Sequence, residues 1–244
     1  MTVAGGVTLR FAAMNAASSV VSMGELRALA RSRVGAVVVR TTTVHPFLHP
    51  EFRSLKNPGA EKLAPVVHEL AAMEGGLPVV ASVAGGTIQE FVALARTFGE
   101  AGAAAVEAHL GEPWVEATLA PCEDAETLHA LAAGMVEASA APVWVRLPDR
   151  CRLPYRVVVE ALLAAGVRAA VIDNEFTRFE KLLLDRRPGL DVIALGGIDS
   201  GWDVSRALGK GACAVQVGPT LGPDGIDVFA RLEREMHGGR FGHS

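Results

Sequence analysis

The chain has 244 residues, half of them hydrophobic and a fifth charged, with a formal net charge of −4. That apolar content supports a large core and excludes intrinsic disorder, while the acidic balance and single tyrosine argue against a nucleic-acid partner held by phosphates or by stacked bases. Cys122, Cys151 and Cys213 are odd in number, far apart in sequence and without C-x-x-C spacing, and no apolar run reaches the ~18 residues of a membrane span, so a single cytoplasmic domain without membrane partner, disulfide framework or thiolate metal site is expected.

Short β-branched runs alternate with longer segments of helical period. Val7–Asn15 precedes the amphipathic Met23–Arg33. Gly35–Arg40 and a long loop precede Glu61–Met73. Pro78–Ala84 leads to Ile88–Ala101, and Ala104–Leu110 to Ala125–Ser139. Pro142–Leu147 is followed by Tyr155–Ala165, Arg168–Asn174 by Thr177–Asp185, Asp191–Gly196 by Trp202–Leu208, and Cys213–Gly218 by Asp227–Met236. Eight strand-then-helix units in this length predict an α/β protein, a parallel eight-stranded (β/α)8 TIM barrel over residues 1–236; a doubly wound open sheet is the alternative. Gly35, Gly102, Gly166 and Gly211 stand where helix C-termini need a left-handed residue, and Thr87, Asp124 and Ser200 where N-caps belong. Residues 237–244 read as a frayed tail. No leader is evident, because no basic segment precedes an apolar stretch at the N-terminus.

Active residues of a barrel project from the C-terminal strand ends. The polar set there is Asn15; Arg40 with Thr41, Thr42 and Thr43; His109 with Glu112; Arg146 with Asp149; and Asp173 with Asn174. Gly196–Gly197 and Gly218 with Thr220 follow the last two strands, where small residues let backbone N–H groups approach a phosphate; tight turns feeding helices are the plainer reading. Arg40 and Arg146 suit either an anionic ligand or ion pairs with Glu107, Glu112 or Asp173. His45 and His49 have a metal-ligand spacing, but Pro46 and Pro50 break any helix and no third ligand is evident, so no metal is expected. Cys122 reads as incidental rather than nucleophilic.

These residues resemble the dihydroorotate dehydrogenases, FMN-binding barrels of pyrimidine biosynthesis. The resemblance is carried by Met14-Asn15-Ala16-Ala17, by Gly35 to Thr43 with Lys56-Asn57-Pro58-Gly59, by Val80 to Gly85, by Ile193 to Gly201, and by Ala214 to Gly218 with Leu221 to Phe229. It implies a flavoprotein oxidoreductase in which Ala16, Gly196, Gly197, Gly218 and Thr220 help hold FMN, with Arg40 and Arg146 in place of two lysines at the flavin ring and Thr41 and Asn57 beside it. Pro219 replaces a threonine whose amide serves the phosphate, and proline has no N–H. The family's strand-four motif, Asn-Leu-Ser-Cys-Pro-Asn, reads here His109-Leu110-Gly111-Glu112-Pro113-Trp114. Glu112 thus stands at the catalytic base and His109 and Trp114 at two orotate-binding asparagines. The loop after the second strand is reduced to Glu51-Phe52-Arg53-Ser54, and of the segment after the sixth only Asn174 matches an asparagine.

The resemblance implies an FMN-dependent oxidoreductase acting on a small cyclic or conjugated carbonyl compound, with dihydroorotate itself not expected as substrate. Glu112 would be the base, His109 would orient the substrate, and Arg53, Trp114 and Asn174 would contact it. A homodimer is implied by analogy. The alternative is a flavin-free barrel, a non-catalytic paralogue binding a phosphate-bearing ligand.

Overall fold

In a computed structural model of the chain, residues 1–17, 22–46, 57–73, 75–174, 176–218 and 221–238 are described. Of the expected site residues, Arg53 and Thr220 lie outside them, as do His49, Glu51 and Pro219.

The first apolar run is not one strand but two elements. β1 (Thr2–Ala4) and β2 (Val7–Leu9) pair antiparallel around Gly5 and Gly6, whose φ values of 53° and 86° suit a two-residue turn that matches the strand twist. Only Ala13–Asn15 (β3) enters the main sheet. The hairpin plugs the N-terminal end of the barrel. Trp144 Nε1 donates to the Gly5 carbonyl at 3.0 Å, and the Gly5 N–H donates to Asp191 Oδ2 at 2.8 Å. A Cβ on Gly5 would lie 2.2 Å from the Trp144 nitrogen, so only glycine fits.

The other strands are β4 (Val37–Thr42), β5 (Val79–Val83), β6 (Ala105–His109), β7 (Val143–Arg146), β8 (Ala169–Asp173), β9 (Asp191–Leu195) and β10 (Ala214–Val217). They form one parallel sheet in the order β3-β10-β9-β8-β7-β6-β5-β4, curled until its edges β3 and β4 meet. A side chain closes that seam. Asn15 Oδ1 accepts from the Val38 N–H at 2.9 Å while Nδ2 donates to the Val38 carbonyl at 2.7 Å, imitating a neighbouring strand. Asn15, read from sequence as part of the polar site, is therefore buried in the barrel wall. Gly35 also departs from expectation. It is no left-handed cap; its N–H donates to the Ala13 carbonyl at 2.7 Å, and a Cβ would lie 1.9 Å from the Phe11 carbonyl oxygen.

Around the sheet run α1 (Met23–Ala30), α2 (Ala60–Ala71), α3 (Ile88–Glu100), α4 (Pro113–Thr118), α5 (Ala125–Ala138), α6 (Tyr155–Ala164), α7 (Phe176–Asp185), α8 (Gly201–Lys210) and α9 (Val228–Gly238). Among the described residues none is long and apolar enough to cross a membrane. Thr87, Asp124 and Ser200 cap α3, α5 and α8 as expected, and Ser22 caps α1 in a reciprocal box with Glu25. The helices pack by stripes; α3 buries Phe91, Leu94, Ala95 and Phe98, each large side chain contributing about 1.5–3 kcal/mol. The sequence pattern did not reveal α4, a short helix inside the loop after β6. α9 carries His237 and Gly238, two positions of the expected tail, and residues 239–244 lie outside the described ones.

Replacing Asn15 by alanine orphans the Val38 N–H and carbonyl. The expected loss is about 2–4 kcal/mol in chemical denaturation; a loss under about 0.5 kcal/mol would mean the seam is held by other contacts.

Candidate functional site

Side chains alternate across each strand, so every second residue fills the barrel interior. On β6 the inward series is Ala105, Glu107 and His109. Cross-strand pairing sets Ser82 and Trp144 beside Glu107, and Arg146 beside His109. A polar column results, rising from the barrel centre to its C-terminal mouth.

At its base, Gln216 Nε2 on β10 reaches across the interior to Glu107 Oε2 at 2.6 Å, both residues fully buried. Glu107 Oε1 and Gln216 Oε1 have no partner. One layer higher, Thr41 Oγ1 lies 3.1 Å from Ser82 Oγ and 3.0 Å from His109 Nδ1. Glu112 Oε1 also lies 3.0 Å from Nδ1. Glu112 occupies the N-cap position of α4 but makes no side-chain cap; with Pro113 starting the helix, its carboxylate turns back to His109.

His109 and Glu112 are 9% and 8% exposed, so their contact is nearly dry. Burial and the neighbouring Arg146 cation hold the imidazole below its ordinary value, against the opposing pull of Glu112 and Glu107. The ring is therefore neutral at pH 7. A carboxylate only accepts, so the partners assign the proton to Nδ1, which donates to Glu112 and leaves Nε2 with a lone pair. Among the described residues Nε2 has no hydrogen-bond partner.

Arg146 Nη1 is buried without a partner. A guanidinium N–H in that state is a donor prepared for a ligand oxygen. Arg40, half-buried, is pulled below its ordinary value by desolvation, which the Glu112 charge opposes. Of the ion pairs weighed from sequence for the two arginines, the electrostatic coupling of Arg40 to Glu112 is present.

A second feature lies at the ends of β9 and β10. Gly196 and Gly197 are left-handed, with φ of 74° and 62°. The Ala16 N–H donates to the Val217 carbonyl at 2.9 Å, and Gly218 packs against Leu195, Gly196 and Ala16. Asn174 stands beside them, its Nδ2 3.6 Å from where a Cβ on Gly197 would be. A cavity of about 380 Å³ opens here, with Gly197, Gly218, Gly222, Asp199 and Arg231 on its wall. Arg231 is already engaged by Asp224 at 2.8 Å and Glu235 at 3.0 Å, so the groups left for an anion are backbone N–H groups.

The remaining expected residues are placed as follows. Asn57 is buried, and its Oδ1 accepts from Thr43 Oγ1 and the Gly59 N–H, both at 3.0 Å, tying the loop after β4 to the start of α2. Trp114 is the second residue of α4, half-buried against the core. Ser82 and Gln216 were missed from sequence; the signal was a polar residue inside an otherwise apolar strand. Cys122 and Cys151, far apart in sequence, are neighbours: the Cys151 thiol donates to the Cys122 carbonyl at 3.7 Å.

The electrostatics make a testable pattern. Arg146→Met is expected to raise the His109 titration midpoint and Glu112→Gln to lower it, read from the imidazole resonances; midpoints that do not move would refute the assignment. The folded imidazole binds its proton less readily than the unfolded one, so the unfolded state gains protons first and stability falls as pH drops below about 6.5. His109→Gln should flatten that acid limb.

No family model matches the chain. It is 27% identical over 273 residues to the catalytic subunit of dihydroorotate dehydrogenase B (NAD(+)) of Methanocella arvoryzae, covering 94% of this chain and 89% of that protein. It is 26% identical over 233 residues to dihydroorotate dehydrogenase A (fumarate) of Lacticaseibacillus paracasei, covering 76% and 79%. A crystal structure of dihydroorotate dehydrogenase from Eimeria tenella in complex with ferulenol superposes with a TM-score of 0.81 at 15% identity, over 95% of this chain and 82% of that one, a likeness of fold. With the barrel and the motifs at its strand ends, these comparisons make the chain similar to dihydroorotate dehydrogenases over nearly its whole length.

Proposed function

We propose that the protein is an FMN-dependent oxidoreductase that dehydrogenates, or in reverse reduces, a small cyclic or conjugated carbonyl compound. The observation that carries this reading is the buried Glu112–His109 pair set beside the unpartnered Arg146 N–H at the barrel mouth. The residues fit the cofactor. Gly197 and Gly218 line a cavity large enough for a phosphate and offer it backbone without side chains, while the Gly196 and Ala16 N–H groups hold the Gln216 and Val217 carbonyls and so fix the strand ends around it. FMN, when bound, supplies a hydride acceptor at its flavin ring.

Glu112 takes the proton α to the substrate carbonyl, and the His109 Nδ1–H holds its carboxylate in place while Thr41 and Ser82 hold the ring. Arg146 donates its free N–H to a developing oxyanion, where a fixed donor in a dry site is most effective. Arg40 keeps the mouth electropositive against Glu112. In this reading Asn174 and Trp114 contact the substrate, and Arg53 is the candidate cation for an acidic one. The assigned tautomer favours a second arrangement of the same pair, in which Nε2 of His109 takes the proton and Glu112 steadies the imidazolium. Glu112→Gln and His109→Gln separate the two, because the variant that lacks the base loses more of the rate, by about 10²–10⁴-fold.

Dihydroorotate is expected to be a poor substrate. Glu51, His109 and Trp114 stand where the family has asparagines, and three unpaired polar groups at about 1 kcal/mol each already cost about 100-fold in binding. The protein as purified should absorb in the near-ultraviolet and blue, and Gly197→Val should weaken FMN at least about tenfold, or 1.4 kcal/mol. Anaerobic dihydroorotate should leave the flavin band unbleached while dithionite bleaches it. A colourless protein that takes up inorganic phosphate but not FMN would instead support the flavin-free reading, which Pro219 favours.

A further inference from the structure

Two cysteines meet away from the barrel interior. Cys122 lies between α4 and α5, just after Ala120, a non-glycine residue held left-handed at φ 41°. Cys151 lies between β7 and α6. The backbones of these segments are joined: the Cys122 carbonyl accepts from the Arg152 N–H at 3.1 Å and the Leu153 N–H at 3.0 Å. Cys151 Sγ is 3.7 Å from the carbonyl oxygens of Cys122 and Leu153. Both contacts place the Cys151 thiol as donor, one of them to the backbone of Cys122 itself. Both cysteines are free thiols, and the paired backbones bring them to neighbouring positions.

The two thiols are unequal. Cys122 is 3% exposed, and the neighbouring Cys151 thiol together with burial pushes its titration far upward. Cys151 is half-buried, and the neighbouring Cys122 thiol lowers its titration against the opposing effect of burial. An attacking sulfur and a withheld resolving sulfur therefore stand side by side. Beside them is a cavity of about 180 Å³ lined by Cys122, Pro121, Leu110, Pro148, Arg150 and Arg152, among others. Arg152 pairs with Glu123 at 3.1 Å, while Arg150 is exposed at the rim. Arg150 and Arg152, the sequence neighbours of Cys151, line this opening together with Glu116 and Glu123, so a co-reactant entering it meets cations next to Cys151.

We propose that Cys122 and Cys151 form a reversible dithiol–disulfide site whose co-reactant is a small, acidic disulfide. The Cys151 thiolate attacks the S–S bond of the co-reactant, forming a mixed disulfide and releasing one thiolate. The Cys122 sulfur then attacks Cys151 Sγ, giving up its proton to the second departing thiolate. Overall the two protein thiols are oxidised by two electrons and one disulfide is reduced to two thiols. The closed bond spans 29 positions and staples the end of α4 to the loop after β7. Glu112 begins α4 and Arg146 ends β7, so both segments that carry the mouth of the barrel become one covalent unit.

Oxidised glutathione is the probe, applied to the native full-length protein. Free thiols should fall from three to one, non-reducing peptide mapping should find Cys122 joined to Cys151, dithiothreitol should reverse the change, and the oxidised form should melt higher. Cys122→Ser should stop at a persistent glutathione adduct on Cys151, whereas Cys151→Ser should leave Cys122 unreacted, with circular dichroism showing that both variants fold. Retention of all three thiols in the unaltered protein, a persistent adduct on its Cys151, or a bond to Cys213 or between chains would each overturn the proposal.

Discussion

Closure of the barrel rests on the carboxamide of Asn15. Parallel strands supply their own ladder everywhere except between β3 and β4, where the chain begins and the sheet must meet itself. There the Asn15 side chain takes the place of a backbone and satisfies both polar groups of Val38, while Gly35 lets the chain pass within hydrogen-bonding distance of Ala13. With the ring closed, inward positions on opposite walls come within reach of each other, and Gln216 can bond to Glu107. An open sheet would have left the same residues facing helices, with no polar column and no mouth for it to open into.

The interior is graded from end to end. Trp144 and the β1–β2 hairpin seal the N-terminal side, Glu107 and Gln216 fill the middle, and Thr41, Ser82, His109 and Arg146 crown the column. A buried carboxylate such as Glu107 costs several kcal/mol of desolvation unless it is paired, and one amide bond is a thin compensation. What the layer supplies instead is charge: Glu107 pulls on the imidazole from below as Glu112 does from above, against burial and the Arg146 cation. Burial and Arg146 prevail and hold the imidazole low, and Glu107 only moderates them from below.

The eight alternations were legible because each strand is doubly buried and each helix carries one apolar stripe, patterns that depend only on neighbours in sequence. What was illegible depends on distance. Asn15 and Gln216 look like any polar residues at or near strand ends, and only the closed ring gives one a seam and the other a partner across the barrel. Asn57 stood beside the flavin ring by resemblance, and only the fold shows its carbonyl oxygen also holding Thr43 and Gly59. The nearness of Cys122 and Cys151 was hidden for the same reason. The bonds that join their loops run between backbones, which leave no trace in residue type.

The division between what the chain keeps and what it changes follows the architecture. Groups carried on strand ends are fixed by the barrel, and there the replacements keep the charge, arginine for lysine at Arg40 and Arg146; just beyond, at the N-cap of α4, an ionisable Glu112 stands in place of a cysteine or serine. Groups carried on loops are free to vary, and there the asparagines that read a flat polar ring are gone. His109 belongs to both classes. It ends β6, so its position is as fixed as that of Arg146, but it stands where the family has a substrate-binding amide. An imidazole there binds the neighbouring carboxylate, so a position at the end of a strand is tied to the first residue of the loop helix and the two move as one unit.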